Sequence, residues 1–292
     1  MSKETQLIEI YCAVCYHYDN ILIAQAQRQS NNFCPKFTDK ECITTFIWGI
    51  TNQKFDVKAC YEFIKNYYDE WFPDLPSYQA YNNRICYLAD TFKLLANVLL
   101  SGLGLDNSHS DFVIDSMPIV VAGPKRSSRA KTANDLCSKG KCASKDMWYY
   151  GIKLHILAQC NFKAIPTPAL MTISKASAHD LPVAKDMLSD VTNIRVFGDT
   201  AFNDDEWQSG MLFANNVTVI TPIKRDKGQE CLPAWAKLYS SAVSSVKQAI
   251  ESFNNWIIEK TNIQKASKVR SSSGLIAFVF ARIACACFCF NS

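Results

Sequence analysis

"VFGDT" (residues 196–200) places Asp199 directly after a short apolar run, and "FVIDS" (residues 112–116) places Asp115 in the same position of an earlier run. A single aspartate after a strand is usually a turn former or a helix cap. Two aspartates at matching positions of two strands raise another possibility, because neighbouring strands bring their ends together. Carboxylates gathered in this way can hold a divalent metal ion.

The apolar pattern around these two runs predicts a mixed α/β sheet from Asp111 onward. Alternating or continuous apolar runs indicate five strands, over residues 111–121, 150–158, 164–173, 193–197 and 217–221. Pro166 and Pro168 cannot donate ladder hydrogen bonds, which places the third strand at a sheet edge. Helices are predicted over 180–188, 241–260 and 275–290. In such a sheet the first and fourth strands are expected to lie side by side.

The first hundred residues carry helix signals instead. Thr38 stands three residues before Glu41, which is the pattern of a capping box. Further helices are expected to begin near Asp56 and after Ser77. A linker containing glycine and asparagine follows. The sequence therefore predicts a helical region over 1–105 and an α/β domain over 109–292.

Composition is that of an ordinary globular protein, with 48% apolar residues in a chain of 292. We find no uninterrupted apolar stretch long enough to cross a bilayer, and the N-terminal residues show no signal-peptide core. The thirteen cysteines have irregular spacings, and the Cys12-x-x-Cys15 pair has no second pair at zinc-finger spacing. We therefore expect a cytoplasmic protein with no membrane partner, whose cysteines act as small apolar residues rather than zinc ligands.

Charge is unevenly distributed, although the net charge is only +4. Residues 1–108 hold 9 basic and 12 acidic residues, and residues 109–292 hold 22 basic and 15 acidic residues. The segment 124–145 has one acid, Asp135, and seven bases: Lys125, Arg126, Arg129, Lys131, Lys139, Lys141 and Lys145. Such a segment suits a mobile arm near a polyanion. A solvated loop without a ligand is the alternative.

The predicted long helix offers a third acidic residue. Its buried stripe follows a 3-4-3-4 spacing, at Val243, Val246, Ile250, Phe253 and Ile257. Glu251 borders this stripe and could face a cleft at the sheet edge, whereas Glu259 lies nearly opposite the stripe and faces water. Alternatively, Glu251 is a surface partner of Lys247, one turn earlier.

Five segments occur in the order typical of one enzyme family. They are "VIDSMPI" around Asp115, "WYYGIKLH" at 148–155, "ASAHDLP" at 177–183, "VFGDTAF" at 196–202 and "AIESF" at 249–253. On these segments the sequence resembles the DDE transposases of bacterial insertion sequences. The resemblance runs from about Asp111 to the C-terminus and implies a ribonuclease-H-like catalytic domain.

The resemblance implies that Asp115, Asp199 and Glu251 are the catalytic and metal-binding triad. It also implies two Mg²⁺ ions, replaceable by Mn²⁺, with Asp115 bridging both ions and the other two acids completing one site each. The substrate would be DNA, cleaved at the element ends and joined to target DNA, with a homodimer or higher oligomer assembled on it. The N-terminal helices would recognise the DNA ends.

The sequence departs from the family pattern after the second aspartate. Family members often have Lys-Gly-Tyr there, whereas this chain has Thr200-Ala201-Phe202, which removes a positive charge and a flexible position. The arginine often found before the family's glutamate is also absent, and Lys247 is its possible substitute.

Several alternatives remain open from the sequence. The chain could be a ribonuclease-H-like nuclease without joining activity, or an inactive DNA-binding protein derived from a transposase. It could also be a helical interaction module with the sheet as its scaffold. Lys153 and His155, on the polar face of the second strand, either contact phosphate or form a solvent-facing stripe. His179 and Asp180 are best explained as a helix cap.

Overall fold

The computed structural model describes residues 2–28, 34–106, 108–142, 146–161, 164–225, 228–229 and 231–290. It divides into two compact units. The helical unit comprises Met1–Gly102, Lys131–Asp135 and Ile257–Ser292, and the sheet unit comprises Leu103–Ala130 and Leu136–Trp256. The last helix therefore belongs to the helical unit, whereas the sequence-based boundary at residue 109 groups it with the α/β domain.

Ten α-helices and six strands make up the regular structure of the described residues. The helices are α1 (Lys3–His17), α2 (Ile23–Ala26), α3 (Asp39–Thr51), α4 (Val57–Tyr67), α5 (Tyr78–Tyr87), α6 (Ala89–Gly102), α7 (Asp180–Leu188), α8 (Asp205–Asn215), α9 (Ala234–Thr261) and α10 (Ser272–Phe290). The strands are β1 (Asp111–Ala122), β2 (Ser138–Cys142), β3 (Met147–Gln159), β4 (Thr167–Lys175), β5 (Arg195–Phe197) and β6 (Thr218–Ile220).

Helix starts in the helical unit follow the predicted caps. Thr38 and Glu41 form the reciprocal capping box of α3, because the Thr38 side chain accepts from the Glu41 N–H and the Glu41 carboxylate accepts from the Thr38 N–H. Asp56 caps α4 and Ser77 caps α5. The segment after Ser77 is not one helix, as the pattern suggests, but two helices bent by 60° at Leu88.

Helix α10 is apolar all round because it lies in the core of the helical unit, against α3, α5 and α6. By length and composition it could cross a bilayer, although Arg282 interrupts its apolar run. Two thirds of its most apolar stretch is buried, as in the core helix of a folded domain. Its buried Arg282 donates to the carbonyls of Phe55, Thr261 and Phe278, which satisfies the charged group in the interior.

The sheet unit is built on a mixed sheet with the strand order β2-β3-β1-β5-β6, and β4 pairs with β3. β1 is antiparallel to β3 and parallel to β5, and β5 is parallel to β6. The predicted α/β fold, a mixed sheet with helices preceded by an all-helical region, is thus confirmed. So are the edge position of β4 and the pairing of the first predicted strand with the fourth.

Alternation along β1 separates two faces of the sheet. Ile114 packs with α7 and α8 residues in one apolar cluster, which also contains Leu157 and Val196. Asp115, the next residue, therefore points to the opposite face, and its side chain meets α9 there. Helix α9 buries the expected stripe except for Val246, which is half-buried.

Candidate active site on two neighbouring parallel strands

Parallel pairing of β1 with β5 places the two aspartates at the same level of the sheet. The register joins Val113 to Phe197, and both Asp115 and Asp199 lie two residues beyond this pair. Neighbouring strands are about 4.8 Å apart, so two such positions are close in space. The sequence-based expectation that these carboxylates are neighbours is thus supported by the register.

Gly198 makes the tight turn before Asp199 possible. A Cβ at this position would lie 2.8 Å from the Phe202 ring and 3.1 Å from the Ile114 side chain. The Gly198 N–H donates to the carbonyl of Ile220, which ties the turn to β6. Any larger residue would push the loop, and Asp199 with it, away from the sheet end.

Asp199 is held from two sides although its side chain is 53% exposed. Its Oδ1 accepts from the N–H of Thr200 at 2.8 Å, as the cap of a short 3₁₀ turn. Its Oδ2 lies 3.1 Å from Nζ of Lys247 on α9. The Lys247 ammonium thus places a positive charge beside the carboxylate. Helical spacing makes Lys247 a candidate partner of Glu251, but the structure pairs it with Asp199.

Asp115 is more enclosed than Asp199. Burial raises the pKa of the Asp115 carboxyl above its ordinary value, and the nearby Asp199 and Asp180 charges raise it further, against the lowering effect of Lys247. Its Oδ2 accepts from Nδ2 of Asn254 at 3.0 Å. Asp115 is therefore a half-buried acid whose negative charge is only partly balanced by protein groups.

Glu251 stands between the two α9 residues that contact the aspartates. At 100° per residue, Glu251 is about 40° around the helix from Lys247 and about 60° from Asn254. Its side chain is exposed and makes no hydrogen bond or ion pair with any described residue. Glu251 therefore borders the face of α9 that meets Asp115, but the structure does not join it to the two aspartates. Its membership of a triad stays a prediction.

Asn254 is the residue at this site that the sequence did not reveal. It follows Glu251 by three positions and Lys247 by seven, so helical periodicity would have placed all three on neighbouring parts of α9. Its Oδ1 is buried and accepts no hydrogen bond from the described residues. Periodicity thus favours Asn254 over its neighbour Asn255, but it does not reveal the hydrogen bond with Asp115.

The opposite face of the sheet carries a second polar cluster. Nζ of Lys153 donates to Asp180 Oδ1 and to the Ala178 carbonyl, each at 2.8 Å. His155 is 1% exposed, lies 2.7 Å from Ser174 Oγ through Nε2, and has its pKa lowered to about 4 by burial, so it is neutral. The prediction of a solvent-facing stripe at these residues is therefore wrong.

Asp180 forms an ion pair in addition to its place at the start of a helix. It is the first residue of α7, and its carboxylate pairs with Lys153. His179 occupies the cap position, but its side chain makes no capping hydrogen bond, so the cap expected from the sequence is absent in that form. Lys153, predicted to contact DNA, has its ammonium engaged within the protein.

The basic segment is partly regular structure rather than a mobile arm throughout. Lys125 and Arg126 lie in a 3₁₀ turn, and Lys139 and Lys141 lie on β2, which the sequence did not predict. These four side chains and those of Arg129 and Lys131 are exposed, while Lys145 lies outside the described residues. Lys139 packs over the Trp148 ring and Lys141 pairs with Asp146. Their contact with DNA stays a prediction.

The side-chain oxygens gathered around Asp115 and Asp199 are of the kind that bind a hard divalent cation. No group of three His, Cys, Asp or Glu side chains in the described ranges is placed to hold a metal ion. However, Asp115 and Asp199 offer two carboxylates, and the Asn254 Oδ1 is a buried oxygen without a partner among the described residues. Mg²⁺ is typically held by one or two carboxylates, with water and phosphate oxygens completing its coordination.

Comparison with known proteins identifies the family. The model of the transposase DDE domain matches residues 107–271, a span that includes Asp115, Asp199 and Glu251. The comparisons with curated proteins and with solved structures find no match. Because the family match covers more than half of the chain and contains both Asp115 and Asp199, the chain belongs to the transposases with a DDE domain.

Proposed function

We propose that this chain is a metal-dependent DNA transposase that cleaves DNA at the ends of an insertion element and joins those ends to target DNA. The observation that carries the proposal is the placement of Asp115 and Asp199 at the same level of two adjacent parallel strands. A divalent cation bound there would promote attack by water or a 3′-hydroxyl on a phosphodiester.

The protein's own residues have distinct tasks in this proposal. Asp115 and Asp199 hold the cations, and Glu251 joins them by turning its exposed side chain toward the same face of α9. Asn254 fixes the Asp115 carboxylate through its 3.0 Å hydrogen bond. Lys247, now 3.1 Å from Asp199, is long enough to turn toward a DNA phosphate once a cation neutralises that carboxylate.

DNA and further copies of this chain are the proposed partners, and the cytoplasm is the proposed location. The six described bases of the segment 125–141 would contact backbone phosphates, and the helical region 1–105 would recognise the element ends. A homodimer or higher oligomer would bring two ends together. Mg²⁺ is the proposed physiological ion, with Mn²⁺ as its substitute.

The activity test uses a supercoiled plasmid that carries the DNA flanking the coding sequence on both sides. The protein is incubated with Mg²⁺ or Mn²⁺, and nicked, linear and joined products are scored separately. We expect cleavage and joining that depend on the flanks and stop with EDTA. Nicking without joined products would favour the nuclease alternative, and binding without nicking would favour the inactive DNA-binding protein.

The glutamate assignment is tested with a matched pair on the same helix. Glu251→Gln keeps the side-chain shape but removes the charge needed for a cation, so cleavage should fall at least about a thousandfold. Glu259→Gln serves as the control and should cleave like the parent. The assignment would be falsified if Glu251→Gln cleaved at the parent rate.

The basic segment is tested through salt dependence. Replacing Lys125, Arg126 and Arg129 by Gln should weaken binding to all DNA sequences alike. It should also flatten the plot of log affinity against log salt, by about one unit of slope for each phosphate that the variant no longer neutralises. An unchanged slope would identify the segment as a solvated loop.

A further inference from the structure

A groove of about 790 Å³ lies at the end of β6 and beside the first turns of α9, within the sheet unit. Its lining combines aromatic, amide and basic side chains, including Trp235, Tyr239, Gln208, Lys224 and Arg225. The volume falls in the range of sites that hold a ligand the size of a nucleotide. The family match does not assign any task to this groove.

Two aromatic side chains form one wall. Trp235 and Tyr239 are four residues apart on α9, so they project from the same side of the helix. Trp235 is 65% exposed and Tyr239 is 42% exposed. Exposed aromatic rings next to a polar groove are typical of surfaces on which nucleobases stack.

Amide and carboxylate groups face the same groove. The Nε2 of Gln208 is buried and has no hydrogen-bond acceptor among the described residues. A buried donor without a partner is unfavourable, and an acceptor atom of a ligand would satisfy it. Asp205 adds an acceptor to the lining. Together these groups can both donate to and accept from the edge of a base.

Basic side chains stand at the strand end. Lys224 and Arg225 follow β6 closely, and both are exposed and line the groove. Proteins that bind a single nucleic-acid strand usually combine aromatic side chains with basic side chains. The bases stack on the aromatic rings, and the phosphates bind the basic groups.

The groove adjoins the candidate active site. Thr221, which lines it, directly follows β6, and β6 pairs in parallel with β5, the strand that leads to Asp199. The register pairs Phe197, the last residue of β5, with Ile220, the last residue of β6. Adjacent strands are about 4.8 Å apart. The groove at Thr221 therefore begins close to Asp199, which follows β5 by two residues. A nucleotide in the groove would be a near neighbour of a phosphate at Asp199.

We infer that this groove receives one unpaired nucleotide of the DNA substrate, with its base stacked on Trp235 and its phosphate beside Lys224 and Arg225. The inference rests on the proposed function for the identity of the strand. A base within a duplex hides both faces between its neighbours, so only an unstacked base can present a face to Trp235. The groove is thus a site for the distorted DNA next to the scissile phosphate.

The test measures binding of a short single-stranded oligonucleotide in EDTA, by fluorescence anisotropy, so that no cleavage is needed. Trp235→Ala should weaken binding by about 5- to 150-fold, the equivalent of one base stack. Phe213→Ala is the matched control, since Phe213 is 96% exposed on α8 of the same unit and does not line the groove. Gln208→Leu should weaken binding severalfold without lowering Tm.

The outcomes separate this inference from the proposed function. Binding of the oligonucleotide by Trp235→Ala with parent affinity, or no binding by the parent, overturns the inference. A duplex of the same sequence should lose little affinity in Trp235→Ala, and an equal loss for both probes also overturns it. If the parent binds the oligonucleotide through Trp235 but never cleaves plasmid DNA, the proposed function fails while the groove assignment stands.

Discussion

Two buried or half-buried aspartates, one in each unit, differ in how their charge is balanced. Asp39 in the helical unit accepts from Arg84 through both oxygens, at 2.6 and 2.5 Å, and from Arg28 at 2.8 Å. Tyr18 adds a fourth hydrogen bond. Asp115 in the sheet unit accepts from the side-chain amide of Asn254 and interacts with the backbone N–H of Ser116, and no arginine contacts it among the described residues.

The pKa shifts of these two carboxyls run in opposite directions. Burial would raise the pKa of Asp39, but the hydrogen bonds and charges of Arg84 and Arg28 outweigh burial, and the pKa is lowered. Burial raises the pKa of Asp115, and the partial compensation from Lys247 does not reverse it. A carboxylate saturated by arginines stabilises the fold, whereas one with its charge only partly balanced is suited to bind a cation.

The largest expected effect is the loss of DNA cleavage when Asp115 is replaced. Asp115→Asn should lower metal-dependent cleavage at least about a thousandfold, because the amide cannot hold the cation. Its Tm in buffer without metal should not fall, since the substitution removes a half-buried negative charge and keeps the volume of the side chain. Adding Mg²⁺ should raise the Tm of the parent and leave that of the variant unchanged. A large loss of Tm in Asp115→Asn would contradict this contrast.

The next largest effect is the loss of folding stability when Asp39 is replaced. Asp39→Asn should lower the free energy of unfolding by about 3–5 kcal/mol, because Arg28 and Arg84 would keep their charges in a half-buried site without a counter-ion. Urea titration measures this loss. Asp56→Asn is the control, since asparagine caps a helix as well as aspartate and only the ion pair with the exposed Lys268 is lost, and it should cost less than about 1 kcal/mol. Equal losses in the two variants would mean that the arginines do not depend on Asp39.

The same aspartate should make stability depend on pH. The pKa of Asp39 is lower in the folded chain than the ordinary value of 3.8. Its contribution is therefore fully present above about pH 3.8 and is lost as the pH falls through the folded value. The difference in Tm between the parent and Asp39→Asn should shrink over that range and stay constant from pH 5 to 7. A difference that grew on acidification would reverse the assigned sign.

Several features of the fold and of the candidate site could be predicted from local sequence patterns. The capping box at Thr38, the pairing of the strand that carries Asp115 with the strand before Asp199, and the edge position of β4 indicated by Pro168 were all predicted from local patterns and confirmed. Asp115 itself does not end its strand, because β1 continues to Ala122. The family resemblance was confirmed in the same way, by a match over 107–271.

Interactions between distant residues could not be predicted. The Asn254–Asp115 hydrogen bond joins residues 139 positions apart, and Arg84–Asp39 joins residues 45 positions apart. Strand β2 was missed because Ser-Lys-Gly-Lys-Cys has little apolar character, and pairing with β3 determines its conformation. Glu251 was placed near the site by helical periodicity, which gives the side of a helix but not the direction of a long side chain.

The smallest effect concerns the one ammonium group at the site among the described residues. Lys247 pairs with Asp199 at 3.1 Å and is within electrostatic reach of Asp115. A cation that binds both carboxylates must displace this pair, which is worth about 0.2–1 kcal/mol because Asp199 is exposed. Lys247→Gln should therefore bind Mg²⁺ about two- to fivefold more tightly, as measured by the Mg²⁺ dependence of Tm without DNA. Glu259→Gln, on the same helix but turned away from the site, should bind Mg²⁺ like the parent. Weaker Mg²⁺ binding by Lys247→Gln would show that the ammonium helps to build the metal site instead of competing for it, and Asp199 would then resemble the saturated Asp39 more than its neighbour Asp115.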